Sequence, residues 1–182
     1  MINFPITPLR RQEVLRRAAL SAPNAEEEER LSDCIRDAEY VIDYKIKERN
    51  RPISLLPELL AEAPSFVDRE RLTEDLSGCD ALIVFTATLG ELLLQEIREA
   101  EDEEEALMLR AVAAERLEAV TESYCDTKER QLSHDGGRIT PHYPFFWKGY
   151  EENEVTTTLI MGVMLRPESR GPLRCKSCSI SP

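Results

Sequence analysis

The length, composition and charge of the chain exclude several classes of protein. Its 182 residues suit a single domain, and 42% hydrophobic with 32% charged residues is ordinary for a globular protein, whereas a net charge of −12 argues against nucleic acid as a partner. No stretch approaches the roughly 18 apolar residues of a membrane span, and the first residues do not resemble a signal peptide, so we expect a cytoplasmic protein that uses no membrane.

The N-terminal part of the chain predicts two helices. The first covers residues 9–20, and Pro23 prevents its continuation, because proline lacks the N–H group that a helix interior needs. Asn24 suits an N-cap, and Glu27 stands where its carboxylate completes a capping box. Apolar residues at spacings of three and four then predict a second helix to about Glu48. That stripe consists of Leu31, Ile35, Ala38, Ile42 and Ile46.

The middle of the chain predicts two strands and two short helices. Residues 51–60 contain two prolines and an apolar run, which favours an edge strand, and residues 64–72 predict a connection with a short helix. Residues 81–86 are continuously apolar, with β-branched and aromatic members, which is typical of a strand buried on both faces. A turn over residues 88–90 and a short helix over residues 91–98 follow.

A long helix is predicted over residues 103–130. Its apolar residues follow helical spacing and define one side that faces the core. Gly136 and Gly137 then predict the end of this region, because glycine readily adopts the left-handed conformation that closes a helix. The core-facing stripe consists of Ala106, Leu109, Ala113, Leu117, Val120 and Tyr124.

The last third of the chain predicts an extended segment, one helix and two strands. Residues 138–143 are extended and bear prolines, and a helix is expected over residues 152–161. Strands are expected over residues 162–165 and 176–180, joined by a loop over residues 167–173.

These elements together predict an α+β fold. We expect a single domain over residues 1–182, with a small, mostly antiparallel, twisted sheet and several long helices. Residues 1–60 form its N-terminal helical part in this prediction, and residues 61–182 contain the sheet and the candidate ligand motif.

Arg138 is the first candidate for ligand binding. It follows a double glycine at the start of an extended segment, where a guanidinium is well placed to bind a carboxylate through two nitrogens. Tyr143, five residues later, offers a ring face and a hydroxyl group. The alternative is a surface arginine beside a turn.

Two glutamates on the long helix form a second candidate. Glu118 and Glu122 are four residues apart and therefore share one face of that helix, next to its apolar stripe. Their carboxylates are suited to a ligand ammonium group or to ribose hydroxyls. The alternative is an ordinary solvated helix face.

The cysteines are the third feature to weigh. The chain has five cysteines, an odd number, and the last two form a Cys-x-x-Cys pair, Cys175 and Cys178. Two thiols at this spacing are able to bind zinc or to cycle as a redox pair. Zinc needs four ligands, however, and the sequence has no second pair at matching spacing and only two histidines. We therefore favour structural thiols and predict no metal site, with zinc or redox chemistry as the alternatives.

Four segments, in this order along the chain, resemble the activation domain of cobalamin-dependent methionine synthase and its small stand-alone relatives. Their shared order along the chain carries the resemblance. The segments are residues 11–16, 85–90, 116–122 and 173–180.

The S-adenosylmethionine motif of that family is Arg-x-x-x-Gly-Tyr, and the corresponding stretch here runs from Arg138 to Tyr143 with His142 in place of the glycine. The resemblance implies that Arg138 binds the methionine carboxylate of the cofactor and that Tyr143 lies at the reaction site as the catalytic residue. The complete set of predicted cofactor-binding residues is Arg138, Thr140, His142, Tyr143, Glu118 and Glu122.

The function implied by this resemblance is support of reductive methylation as a methyltransferase-associated component. The expected partners are a cobalamin-binding methionine synthase or another corrinoid protein, which supplies the cobalamin, and flavodoxin or another reductant. S-adenosylmethionine is the expected cofactor, and it donates the methyl group that reactivates cob(II)alamin after reduction. The alternative, which follows from His142, is an accessory or docking subunit of a corrinoid methyltransferase system that has lost the cofactor.

Overall fold

The computed structural model describes residues 4–61, 68–134, 136–144 and 153–165. Within these ranges the chain forms helices and one small sheet, which confirms the predicted α+β class. The helices are α1 (Arg11–Arg17), α2 (Ala25–Val41), α3 (Leu56–Ala61), α4 (Arg69–Leu76), α5 (Glu91–Glu99) and α6 (Glu103–His134), with a 3-10 turn at Ile53–Leu55. The strands are β1 (Lys45–Pro52), β2 (Ala81–Thr88), β3 (Arg138–Ile139), β4 (Tyr143–Pro144) and β5 (Thr156–Met164).

The sheet has the strand order β1-β2-β5-β3, and the short strand β4 also pairs with β5. Both β3 and β4 run antiparallel to β5. Arg138 lies opposite Met164 in this register, and Tyr143 lies opposite Ile160. The segment predicted to be extended is therefore the outer partner of β5.

A β-bulge separates β3 from β4. Thr140 continues the register of β3, since its N–H group donates to the carbonyl of Gly162 at 3.0 Å. Because β4 resumes one residue out of that register, Pro141 and His142 both lie opposite Met161. Proline suits this position, because a bulge residue does not have to donate to the ladder.

The start of α2 confirms the predicted capping box. The Asn24 side chain accepts hydrogen bonds from the N–H groups of Glu26 and Glu27, and the Glu27 carboxylate accepts from the N–H group of Asn24 at 2.7 Å. These local contacts satisfy donors that the first turn of any helix leaves without a partner.

Replacing Asn24 with alanine is expected to lower the free energy of unfolding by about 1 kcal/mol, because the first turn of α2 loses its acceptor. Asn24→Ser restores an oxygen acceptor and should recover most of that loss. Urea denaturation followed by circular dichroism measures both variants. An alanine variant as stable as the parent protein would contradict the capping role.

The predicted end of α2 is wrong. The helix ends at Val41, Ile42 has an extended backbone, and the N–H group of Asp43 donates to the carbonyl of Leu89 at 2.8 Å. Ile46 consequently belongs to β1 and not to the helical stripe. A hydrogen bond across 46 residues of sequence has no local signal, and it competes successfully with a helical pattern that would otherwise continue.

The edge strand predicted over residues 51–60 is also wrong. The edge strand is β1, which ends at Pro52, and α3 occupies Leu56–Ala61. Pro57 is compatible with this helix because it lies in the first turn, where the N–H group would have no helical partner.

Three central elements agree with prediction. β2 is buried at five of its eight positions and half-buried at the other three. α5 follows a turn at Gly90, and α6 buries the predicted stripe except for the partly buried Leu117. The predicted stop after α6 is present as well. The N–H group of Gly137 donates to the carbonyl of Leu132 at 2.8 Å, and Gly136 has a φ of +73°, which together form a Schellman motif.

The helix predicted over residues 152–161 is wrong, because β5 occupies Thr156–Met164. Three consecutive threonines begin this strand, and β-branched side chains pack well on a sheet. The strand is buried on both faces, so its sequence lacks the alternation that would have identified it. The separate strand predicted over residues 162–165 is the end of β5. The strand predicted over residues 176–180 and the loop before it lie outside the described residues.

The chain forms two compact units that alternate along the sequence. Residues 4–47, 86–124 and 153–158 belong to the first unit, and the remaining described residues belong to the second. Each unit has its own apolar core, around Val112 and Leu93 in the first and around Leu76 and Ile160 in the second. The single-domain arrangement stays a prediction. Within the described ranges, no helix is long and apolar enough to cross a membrane.

Candidate functional site

Arg138 and Tyr143 share one face of the sheet. Their partners on β5, Met164 and Ile160, are four residues apart, and residues at even spacing along a strand point to the same face. Four residues of strand correspond to about 13 Å. This face is the one that packs on the core of the second unit, to which Met164, Ile160 and part of Tyr143 belong.

The guanidinium of Arg138 is exposed at the outer edge of this face. It makes no hydrogen bond or ion pair with any residue in the described ranges. A cation in this position is available to an anionic ligand and equally to solvent.

Tyr143 is oriented by a residue that sequence analysis missed. Its hydroxyl donates to Oδ2 of Asp75, on α4, at 2.8 Å. Nε of Arg71, one turn earlier on α4, lies 3.7 Å from the same oxygen of Asp75. An aspartate on a polar helix face carries no signal that would link it to a tyrosine 68 residues later, so only the tertiary structure identifies this pair.

His142 lies on the opposite face from Tyr143. The bulge places it opposite Met161, and its Nδ1 atom is 3.5 Å from Sγ of Cys125 on α6. Burial lowers the pKa of the His142 imidazole below its usual value, because a buried site disfavours the charged ring. The imidazole therefore does not stand between Arg138 and Tyr143.

Thr140 connects β3 to β5. Its buried hydroxyl accepts a hydrogen bond from the N–H group of Gly162 at 2.8 Å and donates to the carbonyl of Pro141 at 2.9 Å. Both hydrogen bonds fix the backbone at the start of the bulge. The hydroxyl thus has a structural role, and the sequence motif did not reveal it.

Glu118 and Glu122 belong to the first unit, whereas the other predicted site residues belong to the second. Oε2 of Glu118 accepts a hydrogen bond from Arg17 at 2.7 Å and lies 3.1 Å from Nη2 of Arg10. Oε2 of Glu122 lies 3.7 Å from Nη1 of Arg10. Arginines of the N-terminal segment therefore neutralise the carboxylates that the sequence offered to a ligand. A cluster of four arginines at positions 10–17 of an acidic chain was the available signal for this pairing.

An open depression of about 780 Å³ lies along the end of α6. Asp126, Glu129, Arg130, Ser133 and His134 line it. No group of three or more histidine, cysteine, aspartate or glutamate side chains is arranged to hold a metal ion among the residues that the structure describes.

Comparison with known proteins adds no family to these observations. No family model matches the chain, and no curated protein matches its sequence. The resemblance to the methionine synthase activation domain therefore stays a prediction, and so do the roles assigned to the site residues.

Proposed function

We propose that the chain binds S-adenosylmethionine and supports the reductive methylation of cob(II)alamin on a separate cobalamin-dependent methionine synthase or corrinoid protein in the cytoplasm. The observation that carries this proposal is the exposed Arg138 guanidinium, which shares a sheet face with Tyr143 and has no partner within the described ranges. A free guanidinium is a strong ligand for the carboxylate of an amino acid.

The geometry around Tyr143 supports an extended ligand. The backbones of Arg138 and Tyr143 are separated by about 13 Å along the strand, and a nucleoside joined to an amino acid is long enough to contact both side chains. Asp75 holds the Tyr143 hydroxyl, which fixes the orientation of the ring. The methyl group of S-adenosylmethionine is already activated on a sulfonium, so the protein has only to position it.

The proposal is tested by isothermal titration of the full chain with S-adenosylmethionine and S-adenosylhomocysteine. Arg138→Ala is expected to raise the dissociation constant by about 10- to 100-fold, since a charge-assisted contact worth about 1.5–3 kcal/mol is lost. Arg138→Lys keeps the positive charge but not the paired donors, so its dissociation constant should lie between those of the parent protein and Arg138→Ala.

Arg130→Ala is the matched control, because Arg130 is an exposed arginine of the second unit whose side chain bonds within its own helix to Asp126 and Thr127. This variant should bind like the parent protein. Absence of heat with both ligands, alone and with a corrinoid protein, would remove the ligand from the proposal. Equal binding by R138A and the parent protein would exclude Arg138 as the residue that binds the carboxylate.

A second candidate function is supported by His142. In the resembled motif this position is glycine, which lets a backbone approach a ligand closely, whereas the His142 side chain contacts Cys125. The chain would then be an accessory or docking subunit without a cofactor. Binding of S-adenosylmethionine by His142→Gly, with none by the parent protein, would favour this function over the first.

A further inference from the structure

Asp75 places a carboxylate directly behind the hydroxyl group of Tyr143. That hydroxyl donates to Oδ2 of Asp75 at 2.8 Å, the usual length of a hydrogen bond between two oxygens. A phenol has one proton, and this bond commits it to Asp75, so the phenol oxygen offers only lone pairs to any further partner. A bond to a charged acceptor also polarises the phenol more strongly than a bond to a neutral one. Tyr143 therefore presents negative potential at its oxygen.

A helix and a strand that pack on one core hold this pair. Asp75 lies in the last turn of α4, between Leu72 and Leu76, which are both buried in the core of the second unit. Tyr143 lies opposite Ile160 of β5, a residue of the same core. The fold therefore sets the distance between the hydroxyl and the carboxylate, as a site that positions a ligand requires.

The charge of Asp75 exceeds what orientation of Tyr143 needs, because a neutral acceptor would hold the hydroxyl in the same place. Only part of this charge is neutralised nearby. Nε of Arg71 lies 3.7 Å from Oδ2 of Asp75, and the Arg71 side chain is 49% exposed, so solvent weakens the attraction between them. The Asp75 side chain is 26% exposed, and its field therefore reaches Tyr143 with less screening.

The ligand of the proposed function changes its charge at the sulfur atom. S-adenosylmethionine carries a sulfonium cation, whereas S-adenosylhomocysteine, which remains after methyl transfer, is a neutral thioether. An aromatic ring and an oxygen that presents lone pairs attract a cation, and a carboxylate behind them adds to this attraction. A neutral thioether gains nothing from the carboxylate.

We propose that Asp75 is a positioning residue that acts through Tyr143 to select the sulfonium form of the ligand over the thioether product. This inference rests on the proposed function, in which the sulfur of the ligand lies beside Tyr143. Arg71 opposes Asp75, because its positive charge lies next to the same carboxylate. The two residues of α4 therefore change the preference for the sulfonium in opposite directions.

The experiment titrates the full chain with S-adenosylmethionine and S-adenosylhomocysteine and compares the ratio of the two dissociation constants between variants. Asp75→Asn keeps an oxygen acceptor for Tyr143 but removes the charge, and it should reduce the preference for S-adenosylmethionine by about 10-fold. This is the effect of a unit charge roughly 7 Å away at an effective dielectric constant of about 40. Binding of S-adenosylhomocysteine should change by no more than about twofold, since no charge interaction is lost.

Three further variants separate this role from a structural one. Arg71→Gln should raise the preference for the sulfonium by about two- to threefold, because exposed ion pairs are weak. Asp75→Glu keeps the charge and should retain more of the preference than Asp75→Asn. In a Tyr143→Phe background Asp75→Asn should have little further effect, since residues that act through one contact are not additive.

Glu70→Gln is the matched control, because it removes the same charge from an exposed position of α4. Glu70 is five residues before Asp75 and therefore lies on another side of the helix. This variant should keep the ratio of the parent protein.

An unchanged ratio in D75N, an equal loss in E70Q, or changes of the same sign in D75N and R71Q would overturn the role of Asp75 and leave the proposed function intact. Equal weakening of both ligands in D75N would also overturn it, since that result indicates a structural role alone. Binding of neither ligand by the parent protein would overturn the proposed function together with this inference.

Discussion

Replacement of Gly162 by alanine is expected to destabilise the protein by about 3 kcal/mol, the upper part of the range for an overpacked interior. A Cβ atom at this position of β5 would lie 2.3 Å from Sγ of Cys79, 2.9 Å from Cδ2 of Leu76 and 3.1 Å from Cγ2 of Thr140. All three neighbours are themselves buried, so none of them is able to move aside without disturbing other contacts. Urea denaturation measures the loss.

The clash with Cys79 is the most severe, and it provides a double-mutant cycle. Cys79→Ala removes Sγ, so Gly162→Ala should cost at least about 1 kcal/mol less in that background, on the order of the coupling expected for residues in contact. Gly136→Ala is the contrast, because a Cβ there meets nothing within 4 Å and its cost comes only from the left-handed backbone. A G162A protein within about 0.5 kcal/mol of the parent would show that the interior of the second unit accommodates a methyl group.

Replacement of Arg10 by methionine is expected to cost about 2 kcal/mol, because the buried Glu115 carboxylate loses the guanidinium and keeps only the backbone N–H group of residue 10 and Arg116, at 3.5 Å. Glu115 is fully buried on α6, and its Oε1 atom accepts from both the backbone N–H group and Nε of Arg10 at 3.1 Å. The same hydrogen bond raises the pKa of the Arg10 guanidinium above its usual value, which favours the charged form of Arg10. Breaking a fully buried pair costs about 3–5 kcal/mol, and we expect less because the Arg10 side chain is 39% exposed.

The double variant Arg10→Met with Glu115→Met separates this explanation from a loss of packing. In the double variant the buried carboxylate is gone, and Arg116 keeps Glu39 at 3.3 Å as an ion-pair partner, so the double variant should be more stable than R10M alone. Arg16→Met is the matched control, since Arg16 pairs with Glu13 on the surface, and it should change stability by no more than about 0.5 kcal/mol. A double variant less stable than R10M would refute this account.

This network bears on the candidate site. Arg10 connects Glu115, Glu118 and Glu122 on α6, and Arg17 binds Glu118 as well. A ligand ammonium group would have to displace a guanidinium from these carboxylates. Ligand binding at Glu118 and Glu122 is therefore disfavoured relative to binding at Arg138, which has no such competitor within the described ranges.

Elements with strong local signals could be predicted from the sequence. Asn24 and Glu27 are three residues apart and cap α2 through their side chains. Gly136 ends α6 because glycine adopts a positive φ without strain, and the apolar run at the centre of β2 needs only burial to become a strand. Each of these depends on contacts within one turn or one strand. Such contacts are encoded in neighbouring residues, so the pattern and the structure agree.

Elements that depend on distant partners could not be predicted. Val41 ends α2 because Asp43 bonds to Leu89, and β5 is a strand because it lies inside a sheet. In each case a helical pattern was locally acceptable, and pairing with a distant strand stabilised the extended backbone instead.

The candidate site also combines features that neighbouring residues encode with features that distant partners determine. Sequence by itself determined that a guanidinium and a tyrosine stand five residues apart in an extended, proline-bearing segment. Only the tertiary structure decided that a bulge turns His142 toward Cys125 and leaves Tyr143 on the face of Arg138, with Asp75 as its partner. The physical reason is that a one-residue change of register reverses the face to which a side chain points, and register is set by the strand on the other side of the ladder.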